Sequence, residues 1–235
     1  MKKQNPGKSS KKTLVRKVGA KRILHLIRSA VHSTTALGSI RATSNSNPFQ
    51  ILVSTILSQR TRDSVTEKVS NQLFKKYADV SSFATADPLA LASDIRSVSF
   101  YNQKTLNIIE SSKLLILKHK GKVPRTYSEL LELPGVGRKT AGCVLVYGFG
   151  DPAIPVDTHV HRISNRIGLV RTRTPDETEE ALERLYDKKY WIDINELFVS
   201  FGQTVCLPIR PRCSICPVKN MCAYYKEKVR KINPN

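Results

Sequence analysis

The first 62 residues contain no acidic side chain at all, against 13 lysines and arginines. Over the whole chain of 235 residues, 39 Lys and Arg face 19 Asp and Glu, a formal net charge of +20. A surplus of that size repels itself unless a polyanion balances it, so nucleic acid is the first partner to expect. Long apolar runs are also missing. Ile51–Val53 and Leu114–Leu117 are among the longest, far short of the roughly 20 residues a membrane helix needs, so no membrane role is expected. No two alternating apolar runs are joined by a tight turn, which excludes a substantial sheet. Cysteine is scarce, with five residues, and four of them crowd into the 17 positions from Cys206 to Cys222 while Cys143 stands alone. A disulfide framework would spread them out. The clustering points instead to a reducing, intracellular compartment and a metal site.

Helical signals fill the rest. Asn47-Pro48, Asp87-Pro88 and Thr174-Pro175 each place a capping side chain before a proline whose missing N–H would be unpaired in the first turn anyway. Thr174 with Glu177, and Thr126 with Glu129, have the spacing of a capping box. Apolar residues recur with helical period in Phe49, Leu52, Val53, Ile56 and Leu57, and again in Val65, Val69 and Leu73. An all-α fold is predicted, with helices over 21–33, 48–60, 64–77, 88–96, 102–119, 127–132, 138–149, 158–168, 175–188 and 191–205. Residues 1–19 read as a basic disordered arm, and 227–235 as a tail.

Residues 133–142 read LPGVGRKTAG. Two predicted helices flank them, so about five residues must reverse the chain. Gly135 and Gly137 both permit a positive φ. Backbone N–H groups exposed at a helix N-terminus suit one phosphate, with Val136 packing the turn and Arg138 beside it. Glycines at these places also suit an ordinary corner between helices; it is the adjoining Arg138-Lys139 that favours phosphate. Lys139 falls in the first turn, where the positive end of the macrodipole disfavours an ammonium ion. A lysine able to shed its proton can attack a sugar C1′ and form a Schiff base, though position alone fits a surface or phosphate-binding lysine better.

Asp157, within PVDTHVHR, reads first as an N-cap; capping would also fix an ionised carboxylate able to stabilise positive charge at a sugar carbon, so both readings can hold. Helix 138–149 would carry the chain away by about 16–18 Å. The extended stretch 150–157 reaches back at most about 26–29 Å, so the two residues can meet. Cys206, Cys213, Cys216 and Cys222, spaced C-x6-C-x2-C-x5-C, can surround one metal centre. Zinc sites usually show two close pairs, whereas here one pair has two flanking singles.

The hairpin with its lysine, the VDTHV context of Asp157 and the cysteine spacing occur in the order found in endonuclease III-like DNA glycosylases. The sequence resembles that helix-hairpin-helix superfamily over roughly residues 20–226. The resemblance implies two helical lobes with a DNA-binding cleft between them. One is a six-helix lobe over 41–151, with the helix-hairpin-helix at about 127–149. The other is an iron–sulfur lobe formed by 20–40 and 152–226. It implies a bifunctional DNA glycosylase and AP lyase of base excision repair that removes oxidised pyrimidines. Lys139 would be the nucleophile, Asp157 the catalytic carboxylate, and the four cysteines would hold a [4Fe–4S] cluster, with zinc as the alternative. Gly135, Val136, Gly137, Arg138, Arg210 and Arg212 would contact double-stranded DNA carrying damaged bases or abasic sites, and the protein would be a DNA-associated monomer. In LSQRTRD, residues 57–63, Arg60 stands where the family usually has the glutamine that fills the gap left by the everted base; the resemblance makes Arg60, or Gln59 just before it, the DNA-contacting residue expected to fill that gap here. A thymine or uracil mismatch glycosylase and a non-catalytic DNA-binding iron–sulfur protein are the alternatives. Adenine-specific relatives usually lack the lysine.

Overall fold

The computed structural model describes residues 6–31 and 47–229. The first five residues of the expected arm, the last two of the helix expected over 21–33, the expected lobe boundary at 40/41 and the tail beyond 229 lie outside the described residues. Among the described residues there is no strand. The helices are α1 (Pro6–Ala30), α2 (Pro48–Ser58), α3 (Asp63–Lys76), α4 (Val80–Ala84), α5 (Pro88–Asp94), α6 (Tyr101–His119), α7 (Tyr127–Leu131), α8 (Arg138–Cys143), α9 (Thr158–Ile167), α10 (Pro175–Leu185) and α11 (Trp191–Thr204). Short 3₁₀ turns occupy Lys188–Tyr190, Cys213–Ile215 and Lys219–Met221.

The caps read from the sequence form as chemistry requires. Asn47 accepts from Phe49 and Gln50, Asp87 from Leu89 and Ala90, Thr174 from Glu177, and Thr126 from Glu129. Three features differ from expectation. Helix α1 begins at Pro6 rather than near 21, because its Lys, Arg and Leu residues are good helix formers and no proline interrupts them. Helix α4 was not foreseen; at five residues it is too short for periodicity, and its signal is a capping box in which Asp79 and Ser82 satisfy each other's backbone N–H. The stretch expected as one helix over 138–149 is α-helical to Cys143 and π-helical over Val144–Phe149, a form that occurs often beside functional sites.

The chain divides into two compact units. In the unit holding residues 47–155, α2 is the buried centre, with Ile51, Leu52, Val53, Ile56 and Leu57 all at 1% exposure or less. It is hydrophobic nearly all round, as a helix enclosed by neighbours must be. Phe83 of α4 sits between Phe49 and Tyr77 at ring-centroid distances of 5.4 and 5.0 Å. The π-helical segment comes so close to α2 that a Cβ at Gly148 would meet Pro48 Cα at 3.0 Å.

The other unit combines α1 with residues 156–229. Ala20, Ile23, Leu24 and Ile27 line one face of α1 and are buried, and α1 packs against α10 and α11. Tyr186 donates to Ala20 O at 3.0 Å, and Arg28 pairs with Asp193. Where α9 crosses α11, Gly202 leaves room for Arg162 and Ile163.

Candidate nucleic-acid and catalytic site

The hairpin is built from both sides. Thr126 caps α7, and Val136 N–H closes the turn onto Leu133 O at 3.0 Å. Gly135 has φ +78, and a Cβ there would meet Asn107 Nδ2 at 2.5 Å, so conformation and space both demand glycine. Gly137 does not take the positive φ expected of it. Its φ is −96 and ψ −179, extended backbone open to any residue, and a Cβ would meet nothing within 4 Å. Its backbone lies exposed at the N-terminus of α8, with no side chain bonding there as a cap. Val136 is buried, while Arg138 is exposed and lies 5.7 Å from the Tyr127 ring centroid. Lys139 is the second residue of α8 and is half-buried.

A second group joins the hairpin to the end of α2. Gln59 donates from Nε2 to Gly135 O at 2.8 Å and to Thr140 Oγ1 at 3.2 Å. Its amide is thus committed to the hairpin. Arg60 is exposed, in the left-handed region at φ +54, with its guanidinium 5.9 Å from the ring centroid of Phe100. The turn itself rests on Lys104, which sequence reasoning missed. Lys104 is 3% exposed and donates to Leu57 O, Gln59 O and Thr61 Oγ1 at 2.8, 2.5 and 3.2 Å. Burial pushes its amine down to about 8. A lysine amid polar residues leaves no mark in a helical pattern; the only available signal was its place in the first turn of α6, directly after the Phe100 corner.

In the other unit, Asp157 caps α9, its Oδ1 accepting from Val160 N–H at 2.8 Å, and its side chain is half-buried. Cys206, Cys213, Cys216 and Cys222 all line one pocket, together with Arg212, Arg166, Phe201 and Val218, and none is in a disulfide. Burial raises the Cys213 and Cys222 thiols and pushes Cys216 up to about 11; negative charge on the neighbouring sulfurs adds to each rise. A cationic centre bound to these sulfurs would offset that opposition of like charges. No three His, Cys, Asp or Glu side chains among the described residues are grouped to hold one metal ion. What the sulfurs surround is the pocket.

Two arginines of α9, also unforeseen, tie this pocket to the helix that Asp157 caps. Arg162 donates to Cys206 O at 3.0 Å. Arg166 donates to Leu207 O and Pro208 O at 2.7 and 2.6 Å, points a third N–H at Cys206 Sγ at 3.7 Å, and stacks on Tyr224. Their signal was spacing: four residues apart, they share one helix face. Arg210 and Arg212 lie in the first intercysteine loop, Arg210 exposed at φ +52 and Arg212 at the pocket wall. The predicted residues therefore gather as Gln59 with the hairpin in one unit, and as the cysteines with Arg212 in the other.

The family described as HhH-GPD superfamily base excision DNA repair protein matches residues 53–188. Endonuclease III of Thermotoga maritima is 50% identical over 182 residues, covering 77% of this chain and 85% of that protein. Endonuclease III of Bacillus subtilis is 38% identical, covering 80% and 86%. Among solved structures, a trapped endonuclease III–DNA covalent intermediate superposes with a TM-score of 0.80 at 34% identity, covering 91% of this chain and 99% of the other. A thermostable thymine-DNA glycosylase also reaches 0.80, at 27% identity, covering 93% and 99%. The chain belongs to the HhH-GPD superfamily of base excision DNA repair proteins and, within it, to the endonuclease III family.

Proposed function

We propose that this protein is a base-excision-repair DNA glycosylase and AP lyase in which Lys139 is the nucleophile and Asp157 the catalytic carboxylate. The damaged nucleotide leaves the duplex, because its glycosidic bond is out of reach inside the stack. The neutral amine of Lys139 forms a bond to C1′, the bond from C1′ to the base breaks, and the base departs with that electron pair and takes up a proton. The Asp157 carboxylate, held in place by its cap bond, offsets the positive charge that grows on the sugar. The nitrogen, having lost a proton, then expels O4′ from C1′; the sugar ring opens as O4′ takes up a proton, an imine between Lys139 and C1′ remains, and β-elimination breaks the strand on the 3′ side.

The single observation that carries this reading is the hairpin: an open backbone at Gly137 suited to a phosphate, followed two residues later by a half-buried lysine. The trapped endonuclease III–DNA intermediate among the relatives supports a covalent route. Oxidised pyrimidines are the proposed lesions, with Gly135, Val136, Gly137, Arg138, Arg210 and Arg212 positioning the DNA backbone and Arg60 occupying the gap opposite the estranged base. Gln59 takes no part in that gap, its amide being committed elsewhere.

The four cysteines are proposed to hold a [4Fe–4S] cluster. The four donors are all cysteine sulfurs, they line one pocket, and their spacing, one close pair with two flanking singles, departs from the two close pairs usual for zinc. When bound, the cluster would supply iron–thiolate bonds that tie residues 206–222 into one fold. Arg162 and Arg166 hold the Cys206 loop on α9.

Nicking and borohydride trapping test the assignment. DNA with an abasic site or an oxidised pyrimidine should be trapped by wild type. Lys139→Ala should lose both nicking and trapping while still binding DNA; trapping that persists in that variant would overturn the proposal.

A further inference from the structure

We propose that Lys104 and Gln59 form a latch that positions the hairpin for imine formation, with Lys104 acting through Gln59 as a positioning residue. This rests on the reading of Lys139 as the nucleophile.

The latch begins with an uncommon choice: a lysine almost fully inside a helical core. An ammonium ion there carries a large desolvation cost unless oxygens surround it. Three do, and all belong to the segment that leaves α2. Leu57 O and Gln59 O lie at the C-terminal end of α2, where backbone carbonyls lack helical partners and the macrodipole is negative. Lys104 therefore supplies, from inside the protein, the cation that a helix end ordinarily draws from its own last turn; α2 has no basic residue there.

The consequence is geometric. Fixing the Gln59 carbonyl fixes the backbone from which its side chain leaves. That side chain crosses to Gly135 O and to Thr140 Oγ1. Gly135 is the turn residue of the hairpin, and Thr140 directly follows Lys139. On the far side of the hairpin, Ser111 of α6 donates to Pro134 O at 2.9 Å and Asn107 closes over Gly135. One helix, α6, thus grips the hairpin twice: directly through Asn107 and Ser111, and indirectly through Lys104 and Gln59. The third Lys104 bond, to Thr61, spans Arg60, and Thr61 in turn accepts from Ser99 N–H at 3.3 Å. The same ammonium therefore fixes both ends of the Arg60 turn, whose positive φ needs such support. The low amine value near 8 agrees with burial of the charge and is not needed for the geometry.

The test is a double-mutant cycle with two readouts. Single-turnover borohydride trapping on abasic-site DNA reports imine formation; hydrogen exchange at the amides of residues 135–140, without DNA, reports hairpin order. Lys104→Met and Gln59→Ala should each slow trapping about tenfold, with affinity for undamaged DNA changed less than twofold, and each should speed hairpin exchange. In the Gln59→Ala background, Lys104→Met should slow trapping little further, because the route is already cut. Gln59→Asn, one methylene short, should behave as Gln59→Ala does. Lys76→Ala, on the outer face of α3, is the control and should change neither readout. Unchanged hairpin exchange in Gln59→Ala, or multiplicative losses in the double variant, would overturn the latch. Should Lys104→Met fail to fold, the exchange and trapping of Gln59→Ala and Gln59→Asn still decide. If wild type is not trapped at all, the nucleophile assignment has failed, and exchange alone still reads the latch.

Discussion

Asp157 caps α9 and is proposed to act at the sugar as well, and a small set of substitutions divides the two duties. Its Oδ1 accepts from Val160 N–H at 2.8 Å, capping α9; its negative charge is assigned to the sugar. Asparagine ranks with aspartate as a cap, so Asp157→Asn should alter stability by a few tenths of a kcal/mol at most, whereas Asp157→Ala should cost about 1 kcal/mol. In a chain of this length that loss lowers Tm by roughly 2–4 °C. Removing a preorganised charge or dipole aimed at a transition state typically costs about 10²–10³ in turnover. Asparagine and alanine should therefore slow single-turnover nicking by similarly large factors while melting at different temperatures. Serine, which caps but carries no charge, should melt like asparagine and nick as slowly as alanine. The assay is thermal melting beside single-turnover nicking and a DNA Kd for each variant. If Asp157→Asn nicks within threefold of wild type, and the alanine variant slows only in proportion to its lost stability, the carboxylate is a cap alone and its catalytic role is wrong.

The glycines, the buried lysine and the cysteines each carry a further expected outcome. Gly135→Ala should destabilise the protein by about 1–3 kcal/mol in urea unfolding, since φ +78 and the Asn107 side chain both oppose a Cβ; Gly137→Ala should leave stability nearly unchanged while weakening DNA binding, because its Cβ occupies space a phosphate would enter. Lys104 titrates near 8 when folded and near the ordinary lysine value of 10.5 when unfolded. The unfolded chain thus holds more protons between those limits, so the stability difference between wild type and Lys104→Met should be flat below about pH 8 and rise in favour of wild type towards 10.5. Protein purified without oxygen should show a broad visible absorption near about 400 nm, the expectation for an iron–sulfur centre, and Cys216→Ser should lose it; a colourless preparation loaded with zinc would contradict the cluster proposal.

The helices and their caps were legible because their causes are local. Asn47-Pro48 or Thr174-Pro175 needs only its neighbours to stop a chain and start a helix. Contiguous motifs were legible for the same reason, LPGVGRKTAG above all, whose turn glycine at 135 the structure places at positive φ. The same logic misled at Gly137, where a glycine serves openness rather than a positive φ. Long-range partnerships were hidden. Nothing near Lys104 in sequence announces that its ammonium meets the end of a helix more than 40 residues earlier, and nothing near Arg166 announces Leu207. The Gln59 amide illustrates the cost: sequence offered it the gap beside Arg60, and the hairpin carbonyl it reaches lies 76 residues on.

The proposed chemistry stands on one covalent bond, between Lys139 Nζ and a sugar C1′. Borohydride reduction of the enzyme with abasic-site DNA, followed by nuclease and protease digestion and mass spectrometry of the adducted peptide, locates it directly. The fragment ions should place the reduced sugar on Lys139, with no adduct recovered on Lys104 or any other lysine. A sugar carried by a different residue, with Lys139 unmodified, would contradict it.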